Sequence, residues 1–161
     1  MEVTLREFRE SDGGRVAEWA KAIGSDDYMS RCRPRDLTVS AHSPEAGILW
    51  FVIRAGGRDV GTVWLEADVD PDQLILGILL GDREVFGLGI GQRAIGLALQ
   101  EARRLGRYHT VVLHVRENNG RAIACYEKCG FRTIASGVKQ SPSGAEIQYL
   151  TMRRYLPPKA E

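Results

Sequence analysis

Gln73 to Gly81 is the longest stretch of this chain without a charge, nine residues that are nearly all apolar. An uncharged run of that length, bounded by turn residues, is a buried strand and is too short to cross a bilayer as a helix. After the polar break from Asp82 to Phe86 comes Gly87-Leu88-Gly89-Ile90-Gly91. A helix is expected from about Gly91 to Leu105, because Ile95, Ala98, Leu99, Ala102 and Leu105 share one side while Arg93, Gln100, Arg103 and Arg104 occupy the others. Gly106 ends it. A buried strand, a glycine loop and an amphipathic helix in that order turn backbone N–H groups toward an anion at the positive end of the helix. Alternating glycines keep Cβ atoms out of the path of a phosphate.

The rest of the chain alternates strand and helix without a repeat or linker, so residues 1–161 are expected to form one domain. Val3 to Arg9 reads as a strand, and Ser11-Asp12 as an N-cap before a helix carrying Val16, Trp19, Ala20 and Ile23. Gly24 to Pro44 is broken. Ile48 to Arg54 and Val60 to Glu66 flank Gly56-Gly57, a hairpin turn signal. Thr110 to Arg116 is rich in β-branched residues, Asn119 to Cys129 reads as a helix ended by Gly130, and Phe131 to Ser136 and Glu146 to Tyr155 are closing strands. The sum is a mixed α/β domain with antiparallel strands at both ends, whose exposed last strand offers a dimer edge. A monomer or homodimer is expected.

Composition narrows the partners. Lys plus Arg number 22 and Asp plus Glu 21, for a net charge of +1, which disfavours a polyanion binder held by counterion release; nucleic acid is not expected. No basic region followed by an apolar run opens the chain, so neither a membrane partner nor secretion is expected, and a cytoplasmic location is. Cys32, Cys125 and Cys129 are an odd set with no histidine at metal-motif spacing, so they are expected to be inert thiols with no metal. Asp68, Asp70 and Asp72 imitate a calcium loop, but Gln73 and Leu79 stand where that motif requires Gly and Glu. Gly89-x-Gly91-x-x-Ala94 also fits a loose dinucleotide fingerprint. Asp82 to Phe86 intervene after the strand, however, and too little chain follows Glu117 for the remaining strands. A Walker-type loop fails because no Gly-Lys-Ser/Thr follows.

A second motif is Asn119-Gly-Arg-Ala122-Ile-Ala-Cys-Tyr126-Glu-Lys-Cys-Gly130-Phe131. Offsets of three and seven bring Asn119, Ala122 and Tyr126 onto one helix face, where the small Ala122 leaves room for a ligand beside the Tyr126 hydroxyl. With this segment and the glycine loop, the chain resembles the GNAT superfamily of acyl-CoA-dependent N-acetyltransferases. Leu5-Arg6-Glu7-Phe8 and Ile78-Leu-Leu-Gly-Asp-Arg-Glu are similar to the branch containing ribosomal-protein N-terminal and spermidine acetyltransferases. The resemblance implies an α+β fold whose mostly antiparallel central sheet, flanked by helices, is splayed between strands 4 and 5. It implies acetyl-CoA as cosubstrate, with the pantetheine arm along Leu79, Leu80 and Gly81. The diphosphate would rest on the loop from Phe86 through Gly87, Leu88, Gly89, Ile90 and Gly91 to Gln92, with Asn119, Ala122 and Tyr126 alongside. One departure stands out: Phe86 replaces the family's leading Gln or Arg, and Leu88 an often basic position. The anion then rests mainly on backbone, with Arg83 or Arg93 as the expected side-chain charge.

The activity implied is transfer of an acetyl group to a primary amine, of a protein N-terminus or a small molecule, by direct attack. Tyr126 is the expected general acid for the sulfur. Glu66 is the expected base, with His114 as a second candidate. Arg31, Arg33 and Arg35 would suit an acidic acceptor or a carboxylate, and the aspartates from 68 to 72 a polyamine. The alternative is a non-catalytic acyl-CoA-binding module on the same fold.

Overall fold

The computed structural model describes residues 1–158. Its strands are β1 (Val3–Glu7), β2 (Ile48–Ala55), β3 (Arg58–Ala67), β4 (Gln73–Leu80), β5 (Thr110–Arg116), β6 (Arg132–Gln140) and β7 (Glu146–Tyr155). Its helices are α1 (Gly13–Ile23), α2 (Ile90–Leu105) and α3 (Gly120–Lys128). The strands form one sheet in the order β1-β2-β3-β4-β5-β7-β6, antiparallel throughout except for the parallel pair β4–β5. That pair joins only Gln73, Leu74 and Ile75 to Thr110, Val111 and Val112. Beyond Ile75 and Val112 the two strands part, so the sheet is splayed where the resemblance implied.

Period-two alternation sends the side chains to two cores. On one face Leu74 and Leu76 of β4 and Val111, Leu113 and Val115 of β5 join the main core under α2. The buried side of α2 is Ile90, Ala94, Ile95, Ala98, Leu99 and Ala102, and its alanines let the helix lie close on the strands. On the other face α1 sets Val16, Trp19 and Ile23 against Phe8, Trp50, Val52, Trp64 and Leu79. Phe8 and Trp50 stack at 3.8 Å, and the Trp50 indole N–H donates to the Thr62 hydroxyl at 2.9 Å, so the buried ring leaves no orphan donor.

Three expectations are corrected. The last strand β7 lies inside the sheet between β5 and β6, and the edge strand at that end is β6, which exposes Ile134 and Val138. β6 also runs on to Gln140, because its pairing with β7 continues past Ser136. Asp12 precedes α1, but its side chain accepts no capping bond from the helix. Its carboxylate instead accepts two bonds from Arg6 at 2.8 Å and one from the Arg9 N–H at 2.9 Å. Asp59 continues this network, taking Arg6 at 3.1 Å and Arg15 at 2.6 Å, and so ties β1, α1 and β3 together.

Glycine placement also differs from expectation at one position. A Cβ on Gly81 would collide with the Trp19 ring, so this glycine admits α1 to the sheet, and it is not among the residues that line the cavity. Gly81→Ala should cost about 1–3 kcal/mol, the usual range for overpacking a filled core, read as a lowered urea midpoint. The Arg6 guanidinium holds Asp12 at about 2, below its ordinary 3.8. A depressed carboxylate contributes stability above its unfolded pKa and loses it as pH falls through the folded value. Asp12→Asn should therefore cost roughly 1–2 kcal/mol above pH 5, with the gap to wild type closing between about pH 4 and 2 in urea melts.

Candidate active site

A cavity of about 520 Å³ opens through the parting of β4 and β5 and reaches both faces of the sheet. β3 bonds β4 along its length, so the backbone polar groups of Leu76 to Leu80 that face β5 are left for a ligand. Gly77 sits at the centre of this opened stretch. A side chain there would strike the Trp64 ring, and its absence lets Trp64 form part of the cavity wall.

At the α2 end the loop adopts the conformation that its glycines permit. Gly87 and Gly89 both have φ of 78°, a region open to glycine at little cost. Phe86 N–H bonds the Arg83 carbonyl and Arg93 N–H the Gly89 carbonyl, but between them no backbone N–H from 87 to 92 has an acceptor among the described residues. Arg93 also donates to the carbonyls of Leu88, at 3.0 Å, and Gly89, at 3.4 Å. The Leu88 and Gly89 carbonyls are thus occupied while the loop's N–H donors are free, which with the helix dipole makes a seat for an anion.

Of the sequence-derived candidates, Glu66, Leu80, Phe86, Gly87, Gly89, Ile90, Gly91, Gln92, Asn119, Ala122 and Tyr126 line the cavity, and Leu79, Gly81 and Leu88 do not. Leu79 points into the α1 core, and the Leu88 side chain is exposed. Asn119 has a second task, since its side-chain oxygen caps α3 by accepting the Ala122 N–H at 3.3 Å. Tyr126 is half-buried and its hydroxyl has no hydrogen-bond partner among the described residues. Burial, reinforced by Cys125 and Cys129, raises its pKa, so the phenol keeps its proton.

The charge near Phe86 comes from a residue the sequence reading passed over. Arg83 is tied to the Ile23 carbonyl at 2.8 Å and Arg93 to the loop carbonyls, and neither lines the cavity. Arg121, in the first turn of α3, instead lays its guanidinium on the Phe86 ring at 3.8 Å, facing the cavity. The signal was available: an aromatic at a position often basic, and an arginine two residues after Asn119.

At the α1 end Glu66 is 5% exposed. One of its oxygens accepts the Arg35 N–H at 2.8 Å, and the other lies 3.7 Å from the Arg35 side chain. His114 meets Thr151 at 3.0 Å, and burial together with Arg35 lowers its pKa, so its ring is neutral at neutral pH. Arg116 donates to the carbonyls of Asp26 at 2.8 Å and Met29 at 3.0 Å, pinning the segment after α1 across the mouth. Arg33 leaves the expected arginine cluster: it bonds the Val39 carbonyl at 3.0 Å and lies over the Trp50 ring. Tyr28, Lys139 and Tyr149 complete this end and carried no sequence signal.

The profile of the Acetyltransferase (GNAT) family matches residues 15–131. Over 151 residues the chain is 33% identical to a mycothiol acetyltransferase of Geodermatophilus obscurus, a match covering 84% of this chain and 46% of that protein. The chain thus spans about half the length of such relatives. It is 29% identical to the peptidyl-lysine N-acetyltransferase YjaB of Escherichia coli strain K12, over 82% of this chain and 84% of that one. Its fold matches the spermidine N-acetyltransferase of Vibrio cholerae, solved with CoA and spermine, at a TM-score of 0.77 and 21% identity over 96% and 95% of the two chains. The splayed sheet, the donor loop at the start of α2 and these matches agree: the chain belongs to the GNAT family of acetyltransferases.

Proposed function

We propose that this protein is an acetyl-CoA-dependent N-acetyltransferase that acts on a primary amine in the cytoplasm. The observation that carries the proposal is the run of unpartnered N–H groups from 87 to 92, joined by one cavity to the opened edge of β4 and to the free hydroxyl of Tyr126. A solved GNAT-fold neighbour contains CoA with spermine, and another contains coenzyme A with kanamycin, which supports the pairing of this loop with a coenzyme and of the far end with an amine.

In this proposal the coenzyme supplies the activated acetyl group, and the chain supplies its placement and the proton movements. The loop N–H groups and the start of α2 hold the diphosphate, and Arg121 adds side-chain charge on Phe86. The free edge of β4 pairs with the amides of the pantetheine arm and directs the acyl group toward the α1 face. The amine nitrogen attacks the thioester carbon there, the C–S bond breaks, and Tyr126 gives its proton to the departing sulfur. Glu66 takes up the proton lost by the amine, through water, while the Arg35 N–H holds its carboxylate in place. His114 is a second candidate for that task, favoured by its neutral ring.

Thiol release from acetyl-CoA with a panel of amines tests the assignment. Tight coenzyme binding with no release on any amine would instead support a non-catalytic acyl-CoA-binding module. Tyr126→Phe should keep the fold and acetyl-CoA affinity and lower kcat by about 10²- to 10⁴-fold, the usual worth of a positioned general acid; an unchanged kcat removes Tyr126 from the mechanism. Arg121→Ala should raise the KM for acetyl-CoA roughly 5-fold, as one charge-assisted phosphate contact is lost, with little change in kcat.

A further inference from the structure

Among the described residues, the cations lining the cavity fall into two groups. Arg121 and Lys128, on α3, stand with the loop that seats the anion. Arg31, Arg35, Arg116 and Lys139 form a second group with His114 at the α1 end, where Glu66 is the one carboxylate in the wall. Alternation along β5 separates the groups. Val111, Leu113 and Val115 point into the α2 core, so His114 and Arg116 project from the opposite face, away from the start of α2.

This second group is largely unpaired. Arg35 alone has carboxylate partners, Glu66 at 3.7 Å and Asp68 at 3.6 Å. Arg116 spends its donors on neutral carbonyls and the Ser30 hydroxyl. Arg31 has no hydrogen bond or ion pair among the described residues, and Lys139 lies over the Tyr149 ring at 5.6 Å. The groups also feel one another. Burial and Arg35 lower the pKa of Arg31, and burial with Arg116 and Arg31 lowers that of Lys139. Like charges gathered in a partly desolvated pocket repel, and an anion bound among them relieves that repulsion.

Resting on the acetyl-transfer assignment above, we infer that the acceptor is an amine that also carries a carboxylate, held by Arg31 and Lys139 while its amine lies toward Glu66. The wall matches a zwitterion, with an acidic group for the ammonium and cations for the carboxylate. A polyamine or an aminoglycoside, positive along its length, meets repulsion at each of these cations. The single carboxylate of Glu66 can face one ammonium and leaves the remaining positive charges of such a chain unmatched. This separates the pocket from what spermine or kanamycin requires.

Calorimetric titration of the coenzyme A-loaded full chain tests the inference with L-phenylalanine, its amide, isoglutamine, spermidine and kanamycin. L-Phenylalanine is expected to bind at least tenfold more tightly than phenylalaninamide. The preference should shrink to under threefold in the Arg31→Gln/Lys139→Gln variant, with coenzyme A affinity and Tm unchanged. Isoglutamine distinguishes the source of the anion, since a side-chain carboxylate that binds as well as an α-carboxylate supports the inference in its wider form. Equal affinity for acid and amide, tighter binding of spermidine or kanamycin, or no binding across the panel overturns it. Thiol release from acetyl-CoA, measured in parallel, separates the two claims. Spermidine as best acceptor upholds acetyl transfer and overturns the carboxylate requirement, whereas a carboxylate preference without any release overturns acetyl transfer alone.

Discussion

The parting of β4 from β5 after Ile75 and Val112 is the constraint on which the rest of the structure depends. Elsewhere in the sheet each strand is bonded along most of its length, as buried backbone requires. Here one edge of β4 stays unbonded beside apolar side chains, an arrangement that makes physical sense where a ligand supplies the missing partners. The surroundings hold the gap open. β3 grips β4 from the other side, β7 grips β5, α2 packs beneath β4, and Gly77 admits the Trp64 ring at the level of the opening. The segment after α1 bridges the mouth through Arg116 and Asn118, whose side chains bond the carbonyls of Asp26, Met29 and Asp27.

The glycine loop works because of where this gap ends. β4 stops at Leu80, and a short 3-10 turn over Arg83–Val85 leads the chain to α2, so Gly87, Gly89, Ile90, Gly91 and Gln92, with their free N–H groups, line the same cavity as the free strand edge. In the proposed reading both elements that hold the coenzyme are main chain. That explains how the seat tolerates Phe86 where a basic or amide side chain is usual in the family pattern. The aromatic ring then becomes a platform for Arg121, which returns a positive charge to the rim from a different element.

Much of this was legible in the sequence because it is local. Uncharged run, glycine loop and amphipathic helix follow one another within 33 residues, from 73 to 105, and each has a periodicity or turn chemistry of its own. The Asn119 to Phe131 segment was legible for the same reason. What escaped depends on partners distant in the chain. The inner position of β7 follows from pairing with both β5 and β6, and strand periodicity carries no information about neighbours. Asp12 had the look of a helix cap, yet Arg6 across the corner binds its carboxylate bidentately. Gly81 had the look of a ligand-facing glycine and proved to be where Trp19 lies against the sheet. Arg31, Arg33 and Arg35 could not be told apart by spacing, since their loop has no period; contact with Trp50 removes Arg33 from the cavity.

The two ends of the cavity handle charge by different means, and this has a consequence for how such a protein can vary. At the α2 end the proposed anion seat is backbone, built from glycine conformations and a helix start, and so depends little on the side chains around it. At the α1 end the field comes from side chains of three separate elements: the loop carrying Arg31 and Arg35, β5 carrying Arg116, and β6 carrying Lys139. Arg31 and Lys139 hold nothing else together by hydrogen bonds among the described residues, so replacing them alters the potential of the pocket without disturbing the sheet. Arg116 differs, because it also anchors the segment after α1. On the proposed reading the seat of the coenzyme is thereby fixed in the main chain and proton movement falls to Tyr126 and Glu66, while the choice of acceptor is left to a few charges that can change independently of the fold.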